Sequence, residues 1–170
     1  MADPLGPLRI NAVELLRQPG ATRDVTLDVE AASLDVAHEQ LAGDIHVALR
    51  LTALNDGIDV DGTVSVDWAT VCRRCLTDVS GTAVGTVDEL YQVEPLDPDA
   101  YVIDDGQLDL ASLIRETALL ELDTERLCRD DCAGLCPVCG VDRNVTECSC
   151  ETAVSDGRWA ALEGFVPDDD

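Results

Sequence analysis

Lysine is absent from this chain: all 11 of its basic residues are arginine, set against 35 acidic ones for a net charge of −24. So acidic a surface opposes binding to bare nucleic acid, which relies on Lys and Arg displacing condensed counterions from phosphates, and tight binding to naked RNA is not expected. Aromatic residues are scarce, at 3%, so the core must be built from Val, Leu, Ile and Ala, which the 46% apolar content supplies. Long apolar runs are missing too, and Met1-Ala2-Asp3-Pro4-Leu5-Gly6-Pro7 lacks the basic stretch and apolar core of a signal peptide. The expected compartment is therefore the cytoplasm, without membrane association. G-x-S-x-G, H-E-x-x-H and G-x-x-x-x-G-K are all absent, and the carboxylates fall in solvated stretches with no evident partner. No enzymatic activity and no small-molecule substrate are expected.

What the chain does have is 8 cysteines in a conspicuous pattern. Cys72-Arg73-Arg74-Cys75 lies upstream; Cys128, Cys132 and then Cys136-Pro137-Val138-Cys139-Gly140 lie in the tail, closed by Cys148-Ser149-Cys150. Two cysteines separated by two residues can turn both sulfurs toward one tetrahedral ion, and Gly140 permits the tight turn that lets backbone N–H groups approach the thiolates. Without a sign of export, a disulfide framework is the weaker reading of an even cysteine count. Neither CxxC opens a helix after an apolar parallel strand, which argues against a thioredoxin-type dithiol. Zinc is the expected ion, because knuckle-type CPxCG turns favour a single ion over an iron–sulfur cluster.

Neighbourhood in sequence gives one zinc site from Cys136, Cys139, Cys148 and Cys150, and a second from Cys72, Cys75, Cys128 and Cys132. The competing arrangement pairs the two CxxC turns, Cys72, Cys75, Cys136 and Cys139, in a single ribbon-like site. Either kind of four-thiolate site is closed, so its zinc would support folding and would not activate water. Arg73 and Arg74 sit between two thiolates, where they screen charge and are candidate contacts for a phosphate or an acidic partner. His38 and His46 are isolated and read as surface residues.

The rest of the chain reads as an α+β fold, mainly an antiparallel β-meander with flanking helices and a C-terminal cysteine-rich zinc-binding extension. Asn11 caps a short helix with Glu14 in a capping-box pattern, and Pro19-Gly20 stops it. Val25, Leu27 and Val29 alternate as a strand, as do Ile45, Val47, Leu49 and Leu51. Asn55-Asp56-Gly57 is a hairpin turn leading to a strand at Ile58 and Val60. Asp61-Gly62 then separates this strand from the alternating run Val64, Val66 and Trp68, whose end carries the upstream CxxC, and the next strand covers 78–87. Residues 94–109, acidic and containing Pro95 and Pro98, read as a loop or mobile linker. Asp109 caps a helix with an apolar stripe of Leu110, Leu113, Ile114, Thr117 and Leu120. A closing helix is expected over 153–165, with Trp159, Leu162 and Phe165 on its apolar face. Two parts follow: 1–125, the α+β unit, and 126–170, the metal segment and closing helix packed on it.

Cys72-Arg73-Arg74-Cys75-Leu76, the helix from Leu108-Asp109-Leu110 through Glu121, and the run Leu127-Cys128 to Gly134-Leu135-Cys136-Pro137-Val138-Cys139-Gly140-Val141-Asp142-Arg143-Asn144 and Cys148-Ser149-Cys150 together resemble the YceD family, also called large ribosomal RNA subunit accumulation proteins. Leu122-Asp123-Thr124 departs from the Leu-Pro that members often carry there. The Arg-only, Ala- and Val-rich composition suits a member from a GC-rich bacterium. The resemblance implies a non-enzymatic role in synthesis, processing or stability of 23S rRNA and in large-subunit assembly. An acidic surface serves solubility first and also suits a basic partner. The expected partner is a basic ribosomal protein or a pre-ribosomal large-subunit particle. Direct sequence-specific RNA binding by the metal segment is disfavoured, because Asp130, Asp131, Asp142 and Glu147 surround Arg126, Arg129 and Arg143. The alternative is a zinc-handling or thiol redox-sensing protein linked to ribosomal protein supply.

Overall fold

Period-two alternation of apolar residues produces long strands, each with one face on the core and one in water. The structure, a computed structural model, describes residues 5–95, 100–122, 125–151 and 158. A 3-10 turn leads into strand β1 (Arg9–Asn11), helix α1 (Ala12–Leu16) and strand β2 (Thr22–Val29). A second 3-10 turn precedes β3 (Leu41–Ala53), β4 (Ile58–Val71) and β5 (Asp78–Gln92), followed by β6 (Tyr101–Val102), β7 (Gln107–Asp109) and helix α2 (Ala111–Leu122). Five strands form a sheet in the order β2-β3-β4-β5-β6, antiparallel except for the short β5-β6 pair, while β1 and β7 form a two-stranded ribbon.

Asn11 accepts the Glu14 amide at its side chain, 3.2 Å, and so caps α1 as its position suggests. The hairpin at Asn55-Asp56-Gly57 joins β3 to β4. Three elements differ from the sequence reading. First, β4 runs unbroken through Asp61-Gly62. Gly62 sits at φ +141°, and a Cβ there would lie 2.2 Å from the Ala48 carbonyl oxygen, so glycine here admits a close strand approach and does not end the strand. Second, β5 extends to Gln92, because Tyr91 anchors its end: it is buried, its ring stacks on Tyr101 at 4.8 Å, and its hydroxyl donates to the Asp109 carbonyl at 3.1 Å. Third, the acidic stretch 94–109 contains β6 and β7; Ile103 and Leu108 are buried in it, and those two side chains outweigh the acidic composition.

Asp109 caps α2 by accepting the Ala111 amide at 2.9 Å. The buried face of the helix is Leu113, Ile114, Ala118 and Leu122, whereas Leu120 is 76% exposed. Leu110, Leu113 and Ile114 of the expected stripe are buried, and Thr117 faces the sheet, where a Cβ on Gly85 would meet its Cγ2 at 2.5 Å; Leu120 alone departs from the stripe, and Ala118 and Leu122 complete the buried face. Leu113, Ile114 and Leu122 pack with Ile45, Val47, Leu51, Val60, Val64 and Val66 of the sheet in one continuous core. The other sheet face is polar, and residues in register cross it in rows such as Asp24, Arg50, Asp61 and Asp88, or Thr26, Ala48, Thr63 and Thr86. The helix expected over 153–165, apart from Arg158, and the departure at 123–124 lie outside the described residues.

Candidate metal centres

Strand β4 ends at Val71 and β5 begins at Asp78, so the CRRC segment must reverse the chain in six residues. It does so with two backbone hydrogen bonds, Cys72 N–H to the Thr77 carbonyl at 2.8 Å and Leu76 N–H to the Cys72 carbonyl at 2.9 Å. Leu76 takes up the left-handed φ of +61° that the turn requires. Beyond α2 the chain is led back to this turn by Arg126. Its guanidinium lies 4.5 Å from the Trp68 ring centroid and donates to the Glu121 carbonyl at 2.7 Å, while its own carbonyl accepts the Arg73 amide at 3.1 Å.

Cys128 and Cys132 are thereby delivered to the turn, Cys75 Sγ to Cys128 Sγ at 3.6 Å and Cys72 Sγ to Cys132 Sγ at 3.8 Å. A tetrahedral ion with Zn–S of about 2.3 Å separates its sulfurs by about 3.8 Å. The spacing fits. Cys136, Cys139, Cys148 and Cys150 form a second group, and within each group all four sulfurs lie within 4.8 Å of one another. The sulfurs thus sort by neighbourhood in sequence, and the two CxxC turns do not share a site.

The second group is built on the CPVCG turn, closed by the Gly140 amide donating to the Cys136 carbonyl at 2.8 Å with Gly140 at φ +73°. The two groups differ in shelter. In the first group Cys72, Cys75 and Cys132 are buried, with Val79 and Leu127 packed on them, and Cys128 is exposed; in the second only Cys136 is buried, Cys148 and Cys150 are half-buried and Cys139 is exposed.

Backbone amides prepare both groups for anions. Burial pushes the Cys72 thiol up, but the amides of Cys75, Arg74 and Cys128 outweigh it and bring the thiol down to about 6. Cys136 is brought down to about 6 chiefly by the amides of Cys139 and Val138. Cys132 is lowered against its burial by the Asn144 side chain and the Gly134 amide. The partners respond in the opposite sense: Cys128 is pushed up to about 12 by Cys132 and burial, and Cys150 up to about 12 by Cys139 and burial. Like charges this close do not all ionise without a cation, and a divalent ion removes that obstacle by releasing the remaining protons. With all four positions of each group filled by sulfur, such an ion has no vacancy for water and supplies structural closure.

Arg73 and Arg74 are engaged within the protein. Arg73 makes an ion pair with Glu125, and Arg74 donates through Nη1 to the Cys132 carbonyl at 3.1 Å. His46 lies on the outer sheet face, its Nδ1 2.6 Å from Asp28, and His38 contacts the Gln40 amide through its own Nδ1 at 3.2 Å. Neither histidine belongs to a sulfur group. Sequence reasoning missed Asn144, whose side chain reaches Cys132 Sγ at 3.4 Å from the loop between the second group's cysteine pairs. The available signal was an uncharged amide among acidic residues in a loop bounded by thiolates.

The model of the family described as large ribosomal RNA subunit accumulation protein YceD matches residues 60–166. That span includes Cys72 and Cys150 and hence every cysteine of both groups. The chain is similar to an uncharacterized protein of Mycobacterium tuberculosis, 30% identical over 177 residues, with 96% of this chain and 84% of the relative covered. An uncharacterized protein of Mycobacterium leprae is 27% identical over 176 residues, covering 97% and 80%. The uncharacterized protein YlbN of Bacillus subtilis is 27% identical over 131 residues, covering 74% and 76%. No solved structure matches the chain.

Proposed function

The chain belongs to the YceD family of large ribosomal RNA subunit accumulation proteins, and from that premise we propose that it is a non-enzymatic, zinc-stabilised factor in 23S rRNA synthesis, processing or stability and in large-subunit assembly, working by binding in the cytoplasm. The observation that carries the proposal is the pair of all-sulfur groups inside the matched span. Each is a closed coordination set suited to holding shape. In this reading residues 126–170 are a zinc-held extension packed on the α+β unit of 1–125, with two zinc ions per chain.

The partner is a basic ribosomal protein or the large-subunit precursor that carries one. Supporting this is the outer sheet face, where Asp24, Asp61 and Asp88 share a row with Arg50 and where Asp59 lies on the same side. The Asp59 carboxyl is held above the ordinary range by partial burial and then by Asp61 and Asp88, so the face repels itself and gains from a cationic neighbour. Arg73, with its side chain 49% exposed, is the contact proposed for a phosphate or an acidic group of that particle.

Deleting the gene tests the reading: 23S rRNA should fall relative to 16S, and restoration should require the cysteines. Equal 23S and 16S levels in the deletion would overturn it. Elemental analysis of protein purified under reducing conditions should find about two zinc ions per chain. The exposure of Cys139 favours a second reading, a zinc-handling or redox-sensing protein that gives up metal on oxidation. Zinc released by mild peroxide from the second group, with 23S levels independent of the protein, would bring that reading forward.

A further inference from the structure

The two sulfur groups are joined by one side chain. Asn144 lies in the loop that Cys139 and Cys148 bracket in the second group, yet its amide is spent on the first. Nδ2 donates to Cys132 Sγ at 3.4 Å and to Asp142 Oδ1 at 2.7 Å. Oδ1 accepts from the Ala133 amide at 2.8 Å and from Arg129 Nη2 at 2.8 Å. Both donors and both lone pairs are used, and a flipped amide would set Oδ1 against the Asp142 carboxylate, so the side chain has a single orientation. Asp142 is fixed in turn by accepting the Asn144 backbone amide at 2.9 Å.

The strip between Cys132 and Cys136 is held from both sides. Leu135 N–H donates to the Arg74 carbonyl of the first group's turn at 2.9 Å. On the other side, Arg143 N–H donates to the Gly134 carbonyl at 2.9 Å and Cys136 N–H to the Val141 carbonyl at 2.9 Å, both from the second group's loop. Gly134, at φ +69°, lets this strip lie against the CRRC turn: a Cβ there would be 3.0 Å from the Arg74 carbonyl oxygen. A displacement of the loop that carries Asn144 therefore reaches Cys132 by two routes, the side-chain amide and the shared strip.

We propose that Asn144 is a positioning residue that couples the two metal centres: an ion in the second centre closes the Asn144 loop, and the placed amide then donates to the Cys132 thiolate and tightens the first centre. Filling is consequently cooperative, with the less sheltered second centre governing metal retention by the first. This rests on the metal reading of the previous subsection.

Cadmium(II) is the probe, added to the full chain under reducing conditions. Two sulfur-rich 113Cd resonances report the centres separately, and chelator competition gives the affinity of each. Disabling the second centre with Cys148→Ser and Cys150→Ser should weaken the first roughly 10–100-fold, the range typical of losing a group that orients a ligand. Asn144→Ala with both centres intact should produce a comparable loss, and combining the changes should add nothing. First-centre affinity within about twofold of wild type in the Cys148→Ser/Cys150→Ser variant, or losses that multiply when combined, would overturn the coupling. Should Asn144→Ala not fold, the comparison of wild type with Cys148→Ser/Cys150→Ser decides alone. A wild-type chain that takes up no cadmium at all would instead defeat the metal reading, an outcome distinct from two ions bound independently.

Discussion

Metal removal should detach the cysteine segment and leave the sheet standing. Among the described residues two clusters of buried apolar side chains have no member in common: one runs from the sheet to α2, and the other holds Cys72, Cys75 and Cys132 with Val79 and Leu127. Among the described residues, the segment after α2 is tied to the rest by four hydrogen bonds, from Arg73 N–H, Leu135 N–H, Arg74 Nη1 and Arg126 Nη2, by the exposed Arg73–Glu125 ion pair and by the stacking of Arg126 on Trp68. At about 0.5–1.5 kcal/mol for each bond, about 0–1 kcal/mol for the ion pair and about 1 kcal/mol for the stacking, these ties supply roughly 3–8 kcal/mol. Ordering the backbone of only five residues costs about 5–10 kcal/mol, and the segment is much longer. In the metal-bound reading ligation supplies the difference, whereas the sheet core needs none of it.

Trp68 makes the detachment observable, since its ring is capped by Arg126 at the start of the segment. With Trp159 replaced by Phe, Trp68 is the single tryptophan. A strong chelator under reducing conditions should shift its emission and remove hydrogen-exchange protection at Cys132, Leu135 and Cys136, while far-ultraviolet dichroism keeps its strand signal and the amides of Val47, Val64 and Val66 stay protected. Loss of the strand signal in step with metal removal would refute the separation of the clusters. Unchanged Trp68 emission and protection would refute the dependence of the segment on metal.

Ile114→Ala, at a fully buried position under the sheet, should cost about 2–5 kcal/mol in urea unfolding, while Leu120→Ala should stay within about 0.5 kcal/mol because that side chain is in water; comparable losses would return Leu120 to the buried face. Gly62→Ala should lower stability by about 1–3 kcal/mol for its backbone conformation alone, with the Ala48 carbonyl collision added, and an unchanged urea midpoint would contradict the close approach. His46, between Asp28 at 2.6 Å and Asp67 at 3.8 Å, should titrate above 6.5, mainly through the Asp28 hydrogen bond. Its pKa is raised in the folded state, so any stabilisation is full below the unfolded value and is lost as pH rises through the folded one. Asp28→Asn should bring the NMR midpoint down; no movement would discount the pair.

Period-two alternation made β2, β3 and most of β4 legible because one face of each strand is buried and the other is wet, and a one-residue slip would invert every side chain. The signal failed where a long-range partner decides. Gly62 reads as a turn residue until Ala48 is known to lie across from it. The acidic stretch before α2 reads as a linker because the stacking of Tyr91 on Tyr101 joins residues ten positions apart, which local composition does not encode. On α2 the expected stripe failed at Leu120 alone, because Ala118 and Leu122 complete the face that lies over Gly85.

The sulfur groups divide in the same way. CxxC and CxC spacings announce thiolate pairs, since reach along a turn is local, but which pairs combine depends on how Arg126 and Arg74 lead the tail back to the end of β4. Neighbourhood in sequence indicates the grouping because the chain after α2 returns to the CRRC turn just before Cys128, so Cys128 and Cys132 are the thiols it brings there. The contact between the groups had no such local cue. Asn144 belongs by sequence to the second loop and by hydrogen bonding to the first centre, and its role emerges only when the acceptor of each amide proton is followed. Spacing thus reports which atoms could bind an ion, whereas the hydrogen bonds around them indicate whether two ions can be held independently; here the bonds through Asn144 and the strip from Cys132 to Cys136 argue that they cannot.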